Sequence, residues 1–325
     1  MAFALPDKGW TVIDSAAAPT LCGISLKWGP RGRGRPQVVA VAEQLAPDAD
    51  AAGAGTVTRT EVEALRDLLG PLDRSLSPLV TLPRSAYRLR VLPEPAVLPR
   101  EMSNTLRWSI RSEIDMTDEA FNLAWMAIPT AGPLPERARQ VYAITTARPP
   151  LLARMALWRQ AGLKPKVVDI RETALRNLAS LLEQPNQGTA LVSVDPEGAG
   201  MVFTHQGALF LDRYIEQPLA ELGPAGSESR SRWHDRIAQQ LQRSVDHIVR
   251  AYPFMPITRV VVAPEPQPLG LLAHLQAVLP LPVQGLQLAE HFDLDRVPAL
   301  AQSPALQARC LVPLGAALRG ARSLP

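Results

Sequence analysis

The chain has 325 residues, 46% of them apolar and 20% charged, enough for two sizeable cores and too apolar for a disordered protein. The formal net charge of +3 excludes a global field that would draw the chain to nucleic acid or to an anionic membrane. Of the 34 basic residues, 30 are Arg and 4 are Lys, a bias that matches a GC-rich coding sequence rather than a function. The opening "MAFALPDKGW" lacks a basic segment followed by a long apolar run, so no signal peptide is expected. The most apolar long segment, 260–283, carries five prolines and a glutamate. It falls short of the ~18 uninterrupted apolar residues of a membrane-spanning helix, and no direct membrane span is expected.

In chain order, residues 21–28 and 37–45 are apolar runs joined by "GPRGRGRP", which reads as a hairpin with a wide turn. A small-residue loop over 47–55 precedes "TEVEALRDLL". There Thr60 and Glu63 form a capping pair, and Val62, Leu65, Leu68 and Leu69 make one face of a helix. "LVTLP" is a short buried strand. A compact module follows: strand "AYRLRVL", helix "PREMSNTLRWSIRSEI" with Pro99 in its first turn, and strands "FNLAWMAIP" and "RQVYAITTA". Helix "LLARMALWRQAG", strand "KPKVVDI" and helix "RETALRNLASLLEQ" come next, Gly162 and Pro165 stopping the first helix.

Residues 189–215 then form a three-stranded meander. A loop leads to a long helix over about 233–252, in which Trp233, Ile237, Leu241, Val245 and Ile248 recur at helical spacing. Strand "ITRVVVA", helix "LGLLAHLQAVL", strand "LPVQGLQL" and a short closing helix in "RCLVPLGAALRG" complete the chain. Both halves open on adjacent antiparallel strands and continue as helix, strand, helix, strand. This order predicts two α/β lobes with a cleft between them.

That order, with the phrases "RLRVLPEPAVLPREMSNTLRWSIRSEID", "AGLKPKVVDIRETALRNL", "GALFLDRYIE" and "LGAALRG", resembles the actin-like ATPase superfamily, in particular its PilM branch with the MshI proteins of mannose-sensitive-haemagglutinin pili. The cytoplasmic region of the secretion protein GspL is similar too. The resemblance implies a bilobed, duplicated ribonuclease H-like α/β fold with an inserted small α/β subdomain. The first lobe would comprise 1–85 with 149–187 and 311–325, the insertion 86–148, and the second lobe 188–310. It also implies a cytoplasmic pilus-assembly adaptor, peripheral to the inner membrane. Its partners would be the N-terminal tail of a bitopic PilN-like inner-membrane protein and other pilus-assembly components. Arg90, Arg107, Trp108 and Arg111 are the candidates for the rim of the tail-binding groove.

Actin-like proteins hold Mg-ATP between two Asp- and Gly-bearing loops and a glycine pair, where backbone N–H groups make a concave anion site. Here "CGISLKWG" keeps Gly23 but has Ser25 in the acid position and Lys27 in place of the second glycine. "DPEGAG" keeps Asp195 but follows it with Pro196, which has no N–H, and Glu197. A carboxylate ~4 Å from a phosphate at an effective dielectric near 20 repels it by about 4 kcal/mol. "VVVAPEPQ" replaces the glycine pair with Ala263 and Pro264. The expectation is therefore a degenerate cleft, with no catalysis and no obligatory cofactor. The alternative is an ATP- and Mg-binding enzyme in which Gly198 and Gly200 rebuild the loop and Lys27 faces the phosphates.

Other candidates are bland. Cys22 and Cys310 lie in apolar runs and read as reduced core thiols of a cytosolic protein. The five histidines never pair at ligand spacing, and no Walker A, HExxH or GxSxG motif occurs. Arg31, Arg33 and Arg35 share one hairpin tip, which reads as a solvated turn, with a lipid or nucleic-acid contact as the lesser alternative. No aromatic residues interleave with them, and no nucleic-acid partner is expected.

Overall fold

The computed structural model of the protein describes residues 8–14, 20–29, 34–45, 58–111, 120–130 and 139–320. Its elements begin with strands β1 (Gly9–Asp14), β2 (Thr20–Lys27) and β3 (Gln37–Leu45), helix α1 (Arg59–Leu69) and strand β4 (Ser77–Thr81). Strand β5 (Arg88–Pro93), helix α2 (Pro99–Arg111) and strands β6 (Phe121–Ile128) and β7 (Gln140–Ala147) follow. Next are α3 (Arg148–Gln160), β8 (Val167–Asp169) and α4 (Arg171–Ser180). The second meander is β9 (Gly188–Asp195), β10 (Gly198–His205) and β11 (Ala208–Glu216). It leads to α5 (Glu228–Ala251), β12 (Ile257–Val262), α6 (Leu271–Val278) and β13 (Val283–Gly285). Four short helices close the described chain: α7 (Leu288–His291), α8 (Pro298–Gln302), α9 (Pro304–Arg309) and α10 (Leu311–Ala317).

The strands form two five-stranded sheets of one topology. The first has the order β3-β2-β1-β4-β8 and the second β11-β10-β9-β12-β13. In each, three antiparallel strands are extended by two parallel ones. The fold is thus a duplicated, bilobed α/β architecture of the actin-like kind. The third sheet, β5-β7-β6, is antiparallel and is crossed on one face by α2. Among the described residues no helix is long and apolar enough to cross a membrane.

Strand β1 is the element the sequence reading lacks. Its six residues are all buried, as expected of a central strand covered on both faces. Thr11 and Asp14 break the apolar run that would have announced it. Two helix starts also move. The capping box of α1 is Thr58 with Glu61, not Thr60 with Glu63, and α5 starts at Glu228 behind the cap Ser227 rather than at Trp233. The short helices α7, α8 and α9 were not anticipated.

One apolar core runs through both lobes, joining Trp10, Ile24 and Leu79 of the first sheet to Val192 and Phe203 of the second sheet and Trp233 of α5 through Ala174 and Leu314. A separate cluster on the outer face of the first sheet includes Ile13, Leu68, Val80 and Trp158. Helices α4 and α10 make the central crossing. A Cβ on Gly315 would lie 2.1 Å from the Ala174 carbonyl oxygen, and Asn177 Nδ2 donates to the Gly315 carbonyl at 3.0 Å. The indole N–H groups of Trp10 and Trp28 donate to the carbonyls of Arg319 and Ala317, at 2.8 and 3.3 Å. Replacing Gly315 by valine forces these helices apart and should destabilise the protein by about 2 kcal/mol or more, read as a lower urea midpoint at unchanged slope.

Candidate functional site

The cleft lies where β1 and the β9–β10 turn present their acids. Asp14, the last residue of β1, and Asp195, the last of β9, line one narrow cavity together with Arg84, Arg171, Glu197 and Arg309. Its free space is about 50 Å³, room for a few waters. Asp14 accepts a short hydrogen bond from Thr81 at the end of β4, so the parallel pairing of β1 with β4 fixes its carboxylate.

The first loop inferred from the sequence is corrected. Gly23, Ser25 and Lys27 all lie within β2, facing Ile13, Thr11 and Gly9 of β1 in register. Lys27 is therefore five residues along the strand from the Asp14 end, about 17 Å away. Its ammonium pairs with Asp73 at 2.7 Å and, with hydrogen bonds from Ser75, holds that carboxyl down at about 2. Ser25 is fully buried, bonded to Thr11 and to the Asp73 N–H. A Cβ on Gly23 would lie 2.6 Å from a Leu72 methyl, so this glycine serves packing. The β1–β2 turn, residues 15–19, lies outside the described residues.

At the second loop the residues expected from sequence do converge, but on each other. Asp195 Oδ1 accepts from the N–H groups of Glu197 and Gly198 at 2.9 and 3.0 Å and from the Tyr214 hydroxyl at 2.7 Å. The other oxygen, Oδ2, lies 3.3 Å from Nε of Arg171, the first residue of α4. Arg171 is 5% exposed; its Nη2 donates to Ser193 Oγ at 2.7 Å. Its guanidinium fills the space above Gly200, where a Cβ would be 2.2 Å from Nη1. A Cβ on Gly198 would be 2.2 Å from the Ile215 carbonyl oxygen. Both glycines are thus accounted for by protein contacts, and the turn's N–H donors are consumed by Asp195.

A second arginine joins the lobes. Arg84, just after β4, bonds Glu172 at 2.7 Å and lies 4.1 Å over the Tyr214 ring, while the Tyr87 hydroxyl donates to the same Glu172 carboxylate at 2.6 Å. Beside them Asp212 has a buried Oδ1 without a hydrogen-bond partner, and burial, then the neighbouring Glu172, push its carboxyl up to about 7. Burial, then Asp195, also raises the Glu197 carboxyl. A cavity of about 720 Å³ opens next to this group, lined by Arg84, Tyr87, Arg88, Asp212, Tyr214 and Glu216 among others.

In the third region Ala263 and Pro264 follow directly on the end of strand β12. The carboxylate of Glu265 accepts four backbone N–H groups, from Leu269, Gly270, Leu271 and Leu272, at 2.7–3.3 Å. Gly270 at φ +79° shapes this nest at the start of α6, and Glu265 is the anion that fills it. An open pocket of about 840 Å³ beside it is walled by prolines and neutral glutamines, including Gln267, Gln276 and Gln287.

On the small subdomain, Leu106 and Ile110 of α2 are buried and Trp108, on the opposite face, is 76% exposed. Ile114 lies outside the described residues. Arg107 Nη1 donates to the Phe121 carbonyl at 3.0 Å and its guanidinium lies over the Phe121 ring, tying it to edge strand β6. Arg111 ends the helix on that side. Arg90 is on β5, the other edge of the same sheet and about 10 Å away by strand spacing. The four candidates therefore surround α2 rather than line one wall. Val91 and Leu98 add exposed apolar surface at the β5 side.

Of the hairpin arginines, Arg31 and Arg33 lie outside the described residues, and Arg35 Nη1 donates to the Ala289 carbonyl at 2.7 Å. Among the described residues no group of His, Cys, Asp or Glu is placed to hold a metal ion. Asp14, Arg171 and Glu265 were missed by sequence reasoning. Arg171 carried one signal: a basic residue at the first position of a helix, where the macrodipole favours acids, needs a specific partner.

The chain matches no protein-family profile and no curated protein. Among solved structures it is similar to a chain of the PilM-PilN type IV pilus biogenesis complex, with a TM-score of 0.74 over 97% of this chain and 99% of that one, at 19% identity. It shares that chain's fold. Weaker likenesses, each with a TM-score of 0.47, are to a Bacteroides thetaiotaomicron protein with an actin-like ATPase fold and to the cytoplasmic domain of EpsL, an inner-membrane component of the Vibrio cholerae type II secretion system. Identities are 10% and 13%, with 93% and 94% of this chain covered and 99% and 94% of theirs.

Because the folded state holds the Asp212 carboxyl protonated up to about pH 7 while the unfolded chain ionises it near 4, its contribution to stability is full below pH 4 and lost as pH rises to 7. Asp212→Asn removes this penalty. Its melting temperature should exceed that of the parent by a few degrees at pH 8, with the gap closing by pH 4, as followed by circular dichroism.

Proposed function

We propose that this protein is a non-catalytic, cytoplasmic adaptor of type IV pilus assembly that docks the cytoplasmic tail of a PilN-like inner-membrane protein. The observation that carries the reading is the near end-to-end match to a chain of the PilM-PilN complex. In that reading the lobes are 1–85 with 149–187 and 311–325, and 188–310, with 86–148 as the docking subdomain. The protein sits at the membrane through its partner and serves an MSHA-like pilus together with other assembly components.

The chemistry of the cleft supports the non-catalytic part. A nucleotide needs free N–H donors, space and uncompensated positive charge. Asp195 has taken the donors of its own loop, Glu265 those of the α6 nest, and the cavity between Asp14 and Asp195 is water-sized. Gly23, Ser25 and Lys27 offer nothing to a phosphate from within β2. The alternative, a binder of ATP and Mg, draws on the 840 Å³ pocket beside Ala263, a space near the cleft large enough for a base.

Docking is supported by Trp108 and by β5. An extended tail adds main-chain hydrogen bonds to an edge strand, and side-chain anchors set its register. β5 pairs only with β7 among the described strands, and Trp108, Val91 and Leu98 offer apolar anchors beside Arg90, Arg107 and Arg111.

Titration of labelled N-terminal tail peptides from PilN-like proteins tests this. Micromolar binding that falls at least about tenfold in Trp108→Ala, with the melting temperature unchanged, is the expected result. No tail binding together with Mg-dependent, micromolar binding of an ATP analogue would overturn the adaptor in favour of the nucleotide enzyme. Should the cleft be spent as described, Arg171→Ala will bind no ATP analogue either, and will unfold at a urea concentration lower by an amount equivalent to about 3 kcal/mol.

A further inference from the structure

The two cysteines, far apart in sequence, meet inside the protein. Sγ of Cys22 lies 3.2 Å from Sγ of Cys310, 288 residues along the chain, and both are fully buried. Cys22 stands in β2 directly opposite Asp14 and beside Glu43 of β3. Cys310 is the joint between α9 and α10. The helix before it packs toward β9 of the second lobe, and the helix after it on α4 and the first sheet. Arg309, next to Cys310, is ion-paired to Glu43 and lines the cleft cavity.

We propose that Cys22 and Cys310 form a reversible intramolecular disulfide that staples the interlobe segment to the first sheet. The sulfurs need close by only about 1 Å to reach bonding distance, a movement within the reach of side-chain rotation. The oxidant is hydrogen peroxide, small enough to enter with local opening of this segment. Peroxide converts one thiolate to a sulfenic acid, its leaving oxygen departing as water. The second thiol then displaces the sulfenic oxygen as a second water. Two thiols and one peroxide give one disulfide and two waters, and a thiol reductant reverses the change. In the closed protein the Cys310 thiol, burial and the nearby Asp14 and Glu43 disfavour the Cys22 thiolate, so reaction follows opening of the joint. Once formed, the bond holds α9 and α10 against β2 and fixes the cleft wall that Arg309 supplies.

The test treats the folded full-length protein with hydrogen peroxide, quenches, denatures and alkylates it. The expected result is joint loss of both alkylatable thiols, a mass lower by two hydrogens, a monomer on a non-reducing gel, and a single crosslinked peptide pair containing Cys22 and Cys310, all reversed by reductant. The melting temperature rises by about 5 °C or more, because so long a loop is closed in the unfolded chain. Cys22→Ser and Cys310→Ser lose the crosslinked pair. Retention of both thiols after peroxide, oxygen adducts without a crosslink, or disulfide-linked dimers would each overturn the proposal. The wild-type peptide map decides the matter even if a serine variant fails to fold.

Discussion

The contact between the Arg171 guanidinium and the β9–β10 turn organises the centre of the molecule. A buried cation is tolerated where it is paired and hydrogen-bonded, and Arg171 is held by Asp195 at Nε and Ser193 at Nη2, with Nη1 against Gly200 and without a hydrogen-bond partner. Holding it there fixes much else. Gly200 must lack a side chain, Asp195 must face inward, and α4 must present its first residue to the second sheet. Because α4 is also the helix on which α10 rests, one ion pair relates both sheets to the C-terminal segment.

The same logic recurs at other donor-bearing turns of the duplicated fold. Among the described residues, two turns that offer N–H donors to an anion are answered from within the chain, while Arg171 Nη1 has no hydrogen-bond partner. Glu265 answers the α6 nest, Asp195 its own turn, and Arg84 with Arg171 bridge to Tyr214, Glu172 and Asp195. These groups are covalently part of the protein, so their mutual pairing does not depend on the concentration of a solute.

Much of the fold was legible in the sequence because periodicity reports burial. The meander over β9–β11, the amphipathic helices α1, α2 and α5, and the strand–helix alternation were all read correctly in kind. β1 was not, since Thr11 and Asp14 interrupt its apolar pattern, and that omission displaced the first loop onto β2. The candidate site was legible only in part. Asp195, Pro196 and Glu197 stood out by local contrast with what a phosphate needs. Asp14, Arg171 and Glu265 act across distances in sequence that no local pattern records. On α2, helical phase sets the exposed Trp108 apart from the buried Leu106 and Ile110. Only sheet order reveals that Arg90 on β5 and the β6 residue Phe121, to which Arg107 of α2 is tied, are on opposite edges.

The two tryptophan hydrogen bonds to the last helix bear on how the protein is made. Trp10 and Trp28 reach the carbonyls of Arg319 and Ala317, and α10 rests on the very strands that begin the chain. A ribosome adding about 5–20 residues per second exposes β1 and β2 for roughly 15–60 s before their covering helix exists. The second lobe, contiguous in sequence, can settle first. The opening strands must then wait as an unfinished sheet, so that nascent chains are open to chaperones, or to wrong strand pairing, at the N-terminal end rather than at the meander.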